Sequence, residues 1–147
     1  MATSAFVLFK AQEAVRSFLS FSSIGDIAAG NVWAQLNKDE RTRPCIIVQA
    51  TSATPTEGHP FGGTWNVSVS VQIRSDSDKS TAAEHEARCD TVFDLLLDTT
   101  IAASLSAELD NFTAFLVVPE SQSFGVDDPD WVSVITLSVE CCGSDIA

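Results

Sequence analysis

The fold is decided by Trp65-Asn66-Val67-Ser68-Val69-Ser70-Val71-Gln72-Ile73-Arg74. Trp65, Val67, Val69, Val71 and Ile73 alternate without a break with Asn66, Ser68, Ser70, Gln72 and Arg74, the two-residue period of a β-strand. One face of this strand belongs to a core and the other to polar surroundings.

On its N-terminal side, Pro44 opens Cys45-Ile46-Ile47-Val48-Gln49-Ala50, a second β-rich run. Proline is tolerated there because its missing N–H falls at the end of the ladder. Between the two strands, Thr51 to Gly63 reads as a long loop of small, polar and turn residues that carries Pro55, Glu57, His59 and Phe61. Further upstream, Leu8, Ala11, Val15, Phe18 and Leu19 recur at helical spacing while Lys10, Glu13 and Arg16 fall elsewhere, which predicts an amphipathic helix from Ser4 to about Ser20. Phe6, Phe9 and Phe21 widen its apolar surface, so the helix is either wedged between layers or partly in contact with another subunit.

On the C-terminal side, Ser75 to Asp78 is a turn, and Thr81 with Glu84 has capping-box spacing. Ala82, His85, Cys89, Val92, Phe93 and Leu96 then trace one helical face, with Glu86, Arg88 and Asp94 opposite. A shorter helix follows from Thr100, marked by Ile101, Leu105 and Leu109. Thr113 to Val118 is expected as a third strand ended by Pro119, and Trp131 to Cys142 as a fourth. The connector between them, with Gly125 and Asp127-Asp128-Pro129-Asp130, reads as a solvated turn. The order predicts a single α+β domain over 1–147. Two β-hairpins form an antiparallel or mixed sheet packed against an N-terminal and a central helix.

Composition narrows the function classes. Lys+Arg is 8 against Asp+Glu 20, a formal charge of -12, so no basic footprint exists for wrapping nucleic acid. The four cysteines, Cys45, Cys89, Cys141 and Cys142, match no disulfide framework and are expected to be reduced. The apolar run near the N-terminus is broken by Lys10, Glu13 and Arg16, which argues against a signal peptide or a membrane span.

Candidate chemistry is sparse. His85 and Cys89 stand at i and i+4, a spacing that can present two metal ligands, yet both fall on the apolar stripe and no second pair completes a site. Asp127, Asp128 and Asp130 lack the alternating ligands, central glycine and terminal glutamate of a calcium loop. Glu57 and His59 can exchange protons in principle, but no nucleophile is placed beside them. No GxSxG elbow, phosphate loop or GxGxxG occurs, so neither catalysis, metal nor cofactor is expected.

As a whole the chain resembles the tail-terminator family of long-tailed bacteriophages, also called tail-completion or minor tail proteins. The likeness rests on the N-terminal helix, on Asn31-Val32-Trp33 ahead of Arg43-Pro44-Cys45-Ile46-Ile47-Val48, on Gly63-Thr64-Trp65 through Val71, on the Ala82-to-Leu97 helix and on the strand from Trp131 to Val139. The resemblance implies a virion protein, assembled in the host cytoplasm, that forms a homo-oligomeric six-membered ring on the head-proximal end of the tail tube. It implies partners in the tail-tube protein and a head-completion or neck protein, no membrane, and DNA passing through the lumen without specific binding. An acidic lumen would avoid holding that DNA by phosphate contacts. The activity implied lies in ring and docking surfaces, for which Pro55, Glu57, His59, Phe61, Asp127, Asp128 and Asp130 are the candidate interface residues, with Phe61 an apolar anchor in a docking arm. The alternatives are another head–tail connector or minor tail subunit, or a cytosolic small-molecule-binding protein or enzyme.

Overall fold

A computed structural model describes residues 4–22, 24, 26, 27, 29–34, 43–56, 64–109 and 111–142. Among them run helix α1 (Ser4–Phe21), a single 3-10 turn (Ala29–Asn31), strands β1 (Val32–Ala34), β2 (Cys45–Pro55) and β3 (Trp65–Asp76), helices α2 (Ala82–Leu96) and α3 (Ile101–Glu108), and strands β4 (Thr113–Asp127) and β5 (Asp130–Cys142). The strands form one sheet in the order β1-β2-β3-β5-β4. β1 is parallel to β2 and every other neighbour is antiparallel, so the sheet is mixed and the fold α+β, as expected.

The alternating strand is the middle of the sheet. Val67, Val69, Val71 and Ile73 are completely buried. Each such side chain contributes about 1.5–3 kcal/mol by leaving water. The same face continues through Ile46, Val48 and Ala50 of β2 and Ile135, Leu137 and Val139 of β5. All three helices cover it: Ala11, Ala14, Val15 and Leu19 come from α1, Val92 and Leu96 from α2, Ile101 and Leu105 from α3. The opposite face carries Asn66, Ser68, Ser70, Thr136 and Ser138, and among the described residues no helix packs on it.

Alanines 11 and 14 let α1 lie close against β2, and its buried Gln12 answers a backbone problem there. β2 bulges between Ala50 and Ser52, and the Ala50 N–H donates to Gln12 Oε1 at 3.0 Å. Ser17 Oγ donates to Glu108 Oε1 at 2.7 Å, tying α1 to α3. Of the α1 side chains described, only Phe9 and Phe21 remain strongly exposed; the other apolar ones pack within the subunit. The side chain of Phe6 lies outside the described residues. At the start of α2 the capping box forms as expected: the Glu84 N–H donates to Thr81 Oγ1, and the Thr81 N–H to Glu84 Oε1.

Several expectations are corrected. β2 does not stop at Ala50; it pairs with β3 as far as Pro55↔Trp65, and the Thr56 N–H donates to the Thr64 carbonyl at 2.9 Å. The first five residues of the expected thirteen-residue loop, Thr51 to Pro55, are therefore strand, and the small polar side chains of Thr51, Ser52 and Thr54 suit an open sheet face as well as a turn; residues 57–63 lie outside the described ones. Pro119 does not end β4. It sits on the edge strand beside a bulge between Pro119 and Ser121, where a missing N–H breaks no ladder. The connector that follows is strand as well, so β4 and β5 form a long hairpin that turns at Asp128–Pro129. Arg88, assigned to the solvent side of α2, is buried, while Ala82 is exposed. β1 has no counterpart in the sequence reading.

Candidate functional site

Asp127 and Asp130 close the β4–β5 turn, and neither behaves as a purely solvated residue. Asp130 is buried, and its Oδ2 accepts from Arg74 Nε and from Arg43 Nε, each at 2.9 Å. Arg74 Nη2 reaches Asp127 Oδ2 at 2.6 Å, and Nη1 donates to Gln72 Oε1 at 2.8 Å. Burial alone would lower the Arg74 pKa, but the bonds it donates to Asp127 and Asp130 outweigh this and raise it. Ser77 clamps the turn from the other side, its N–H and hydroxyl both donating to the Pro129 carbonyl. Arg74, the last residue of the alternating stretch, is thus the anchor of the hairpin tip. The expected solvated turn is corrected to a buried charge cluster in which Asp128 is exposed and Asp130 is not.

A second polar chain runs beneath α2. Asp26 receives both Nε and Nη2 of Arg88 at 2.8 and 2.6 Å, and Arg88 Nη1 donates to Ser75 Oγ at 2.8 Å and Ser80 Oγ at 3.0 Å. Ser75 Oγ lies 2.7 Å from His85 Nδ1, and His85 Nε2 lies 2.9 Å from Ser133 Oγ. Because the Ser75 oxygen accepts from Arg88, its proton is directed at Nδ1, and the tautomer satisfying the chain carries hydrogen on Nε2. The Arg88 bonds hold the Asp26 carboxyl below its usual range. Burial, and then the nearby Arg88 cation, push the His85 pKa down.

His85 and Cys89 are engaged within the fold. Their nearest approach is 3.6 Å, from Cys89 Sγ to His85 Nε2, but both ring nitrogens are already engaged by serine hydroxyls. Burial pushes the Cys89 thiol pKa up, away from the thiolate a metal or a nucleophile requires. Among the described residues no group of three or more His, Cys, Asp or Glu gathers. Cys141, buried in β5, is pushed up to about 12 by burial and by its neighbours Cys142 and Glu140.

Beside His85, two adjoining cavities of about 300 and 390 Å³ lie between α2 and the β4–β5 hairpin. Cys89, Phe93 and Asp90 form one wall, Phe124, Trp131 and Ile135 the other. The rings of Phe124 and Trp131 each stand 6.0 Å from the His85 ring, tilted. Beyond this groove the hairpin is uncovered. Phe124 and Val126 are 63% and 67% exposed, and Phe115, Leu116 and Val118 continue the apolar exposure along the edge strand.

Of the candidate interface residues, Pro55 ends β2 in an exposed position and Asp127, Asp128 and Asp130 share the hairpin tip. The two groups lie at opposite ends of the sheet, since Pro55 pairs with Trp65 and Asp130 with Asp76. Glu57, His59 and Phe61 lie outside the described residues. The edge of β4 escaped the sequence reading; its signal was the alternation of Phe124 and Val126 with Ser123 and Gly125. No known family model matches the chain, and no curated protein is similar to it. No helix among the described residues is long and apolar enough to cross a membrane.

Proposed function

We propose that this chain is a structural subunit of a long-tailed bacteriophage virion: a tail terminator that caps the head-proximal end of the tail tube as a six-membered ring. In this reading it ends tube polymerisation, meets the tail-tube protein on one side and a head-completion or neck protein on the other, and lets DNA pass through its hole.

The observation that carries the reading is the placement of apolar surface. All three helices cover one sheet face, yet Phe115, Leu116, Val118, Phe124 and Val126 are left uncovered along one edge strand and its hairpin. A solvated edge of that composition invites aggregation unless a partner covers it. The charge of -12 keeps such a subunit soluble before assembly and repels the phosphates of passing DNA. The polar cluster of His85, Ser133 and Cys89 serves packing: the imidazole is tied at both nitrogens and the thiol is held protonated. Chemistry at that site has no part in the proposal.

Electron microscopy of the purified chain and of the parent particle tests it. Six-fold rings, labelled at the head-proximal end of the tail, are the expected result, and loss of the chain should yield tails of irregular length. Uniform tails from particles that lack it would refute the assignment.

A further inference from the structure

The groove between α2 and the β4–β5 hairpin has two lobes that share Cys89, Asp90, Phe124 and Ser133. The larger, of about 390 Å³, is completed by His85, Trp131 and Glu86, and the smaller, of about 300 Å³, by Phe93 and Ile135. Each has the size of a small-molecule pocket, roughly 300–1,000 Å³. The smaller lobe is apolar on both walls, and Cys89 belongs to that surface because burial keeps its thiol protonated. The larger lobe is aromatic. Phe124 and Trp131 stand 6.0 Å from the His85 ring at 59° and 53°, so neither lies flat upon it.

Charge at the rim has one sign. Glu86 and Asp90, at i and i+4 of α2, are exposed, and neither side chain has an ion pair or hydrogen bond among the described residues. Like charges at this spacing repel each other, a cost that the fold itself does not require. No Lys or Arg lines either lobe among the described residues. Arg88, the one Arg or Lys of α2, is turned inward onto Asp26, Ser75 and Ser80. The imidazole of His85 has both nitrogens bonded to serines and a lowered pKa, so it adds no positive charge at neutral pH.

From this composition we infer that the groove binds a small amphiphilic organic cation, an alkylammonium whose head lies against Phe124 and Trp131 beneath Glu86 and Asp90 and whose tail lies along Phe93 and Ile135. The inference does not depend on the ring reading. Aromatic faces attract a cation, tryptophan most strongly, and a substituted ammonium is the cation such walls favour. The two carboxylates add attraction, and binding relieves their mutual repulsion. An anion meets both of them unfavourably. A bare metal ion lacks ligands, since no group of three or more His, Cys, Asp or Glu gathers among the described residues. The apolar lobe then rewards length: each methylene placed there tightens binding by about two- to four-fold.

Nuclear magnetic resonance of the full chain tests the site through the indole N–H signals of Trp33, Trp65 and Trp131, the last identified by its loss in Trp131→Phe. Butyltrimethylammonium chloride, compared with sodium chloride at equal ionic strength, should shift the Trp131 signal saturably and leave the other two in place. Tetramethylammonium, which has no tail, should bind about ten-fold more weakly. Choline should bind about ten-fold more tightly than neohexyl alcohol, its uncharged isostere. Glu86→Gln/Asp90→Asn alters two exposed side chains and should weaken butyltrimethylammonium about ten-fold without lowering the melting temperature. Phe124→Ala, also at an exposed position, should weaken it similarly. No saturable shift at Trp131, equal affinity for choline and neohexyl alcohol, or unchanged affinity in Glu86→Gln/Asp90→Asn would each overturn the inference. Equal affinity for the two ammonium ions would overturn the placement of a tail in the smaller lobe.

Discussion

Asp130→Ala tests whether the hairpin tip is held by a buried charge cluster. Asp130 and Arg74 expose only 5% and 4% of their side chains, while Asp127, the other partner of Arg74, is half exposed. Removing one member of a buried pair leaves an uncompensated charge and typically costs about 3–5 kcal/mol. Arg74 would still keep Asp127 at 2.6 Å and Gln72 at 2.8 Å, which places the expected loss at the lower end, about 3 kcal/mol. For a chain of this size that corresponds to a fall in Tm of about 6–12 °C. Asp127→Ala removes a solvent-screened bond and should cost about 1 kcal/mol or less. The pair Arg74→Met/Asp130→Leu removes both charges together and should be less destabilising than Asp130→Ala alone. Urea unfolding at neutral pH, followed by circular dichroism, measures all three variants as shifts in midpoint at constant m. Equal losses for Asp127→Ala and Asp130→Ala, or a loss under about 1 kcal/mol for the latter, would refute the cluster as the anchor.

Three further outcomes are expected. Val69→Asp buries an unpaired carboxylate at the centre of the sheet and should cost several kcal/mol, on the order of 4, whereas Ser68→Asp on the opposite face should change the melting temperature little; equal effects would reverse the facing of β3. His85 has a folded pKa below its ordinary 6.5, so the folded state binds fewer protons than the unfolded one between those values; stability is full above about pH 6.5 and declines as pH falls through the folded pKa, and His85→Gln should flatten that decline. Asp26, also lowered, acts only in more acidic solution, below its ordinary 3.8, so the two effects separate on the pH axis. Replacing residues 57–62 by a short Gly/Ser linker should leave the subunit folded and abolish tail capping if Phe61 docks on a partner; normal capping would remove that role, and unfolding would make Phe61 part of the core.

What can be read from the sequence follows burial. β3 is plain because each of its two faces meets a different medium, and Val67, Val69, Val71 and Ile73 record that difference as unbroken alternation. The same holds for α2, whose capping box is a local arrangement that needs no tertiary partner. Arg88 was misplaced because its burial depends on Asp26, distant in sequence and hidden in a weakly patterned stretch; a guanidinium enters an apolar stripe only when such a partner awaits it. Asp130 was misplaced for the same reason, since its partners Arg43 and Arg74 come from far upstream. The outer half of β4 failed differently. Its residues from Glu120 to Pro129 are exposed on both faces, so no burial imprints a period on them, and Ser121, Ser123 and Gly125 read as a turn. An edge strand buried by its own subunit would have been easier to recognise, but it would have had no surface to offer. Phe124 and Val126 are the exception that matters, because apolar side chains at 63% and 67% exposure keep most of their surface in water in the isolated fold and gain about 25 cal/mol per Å² once a neighbour covers it.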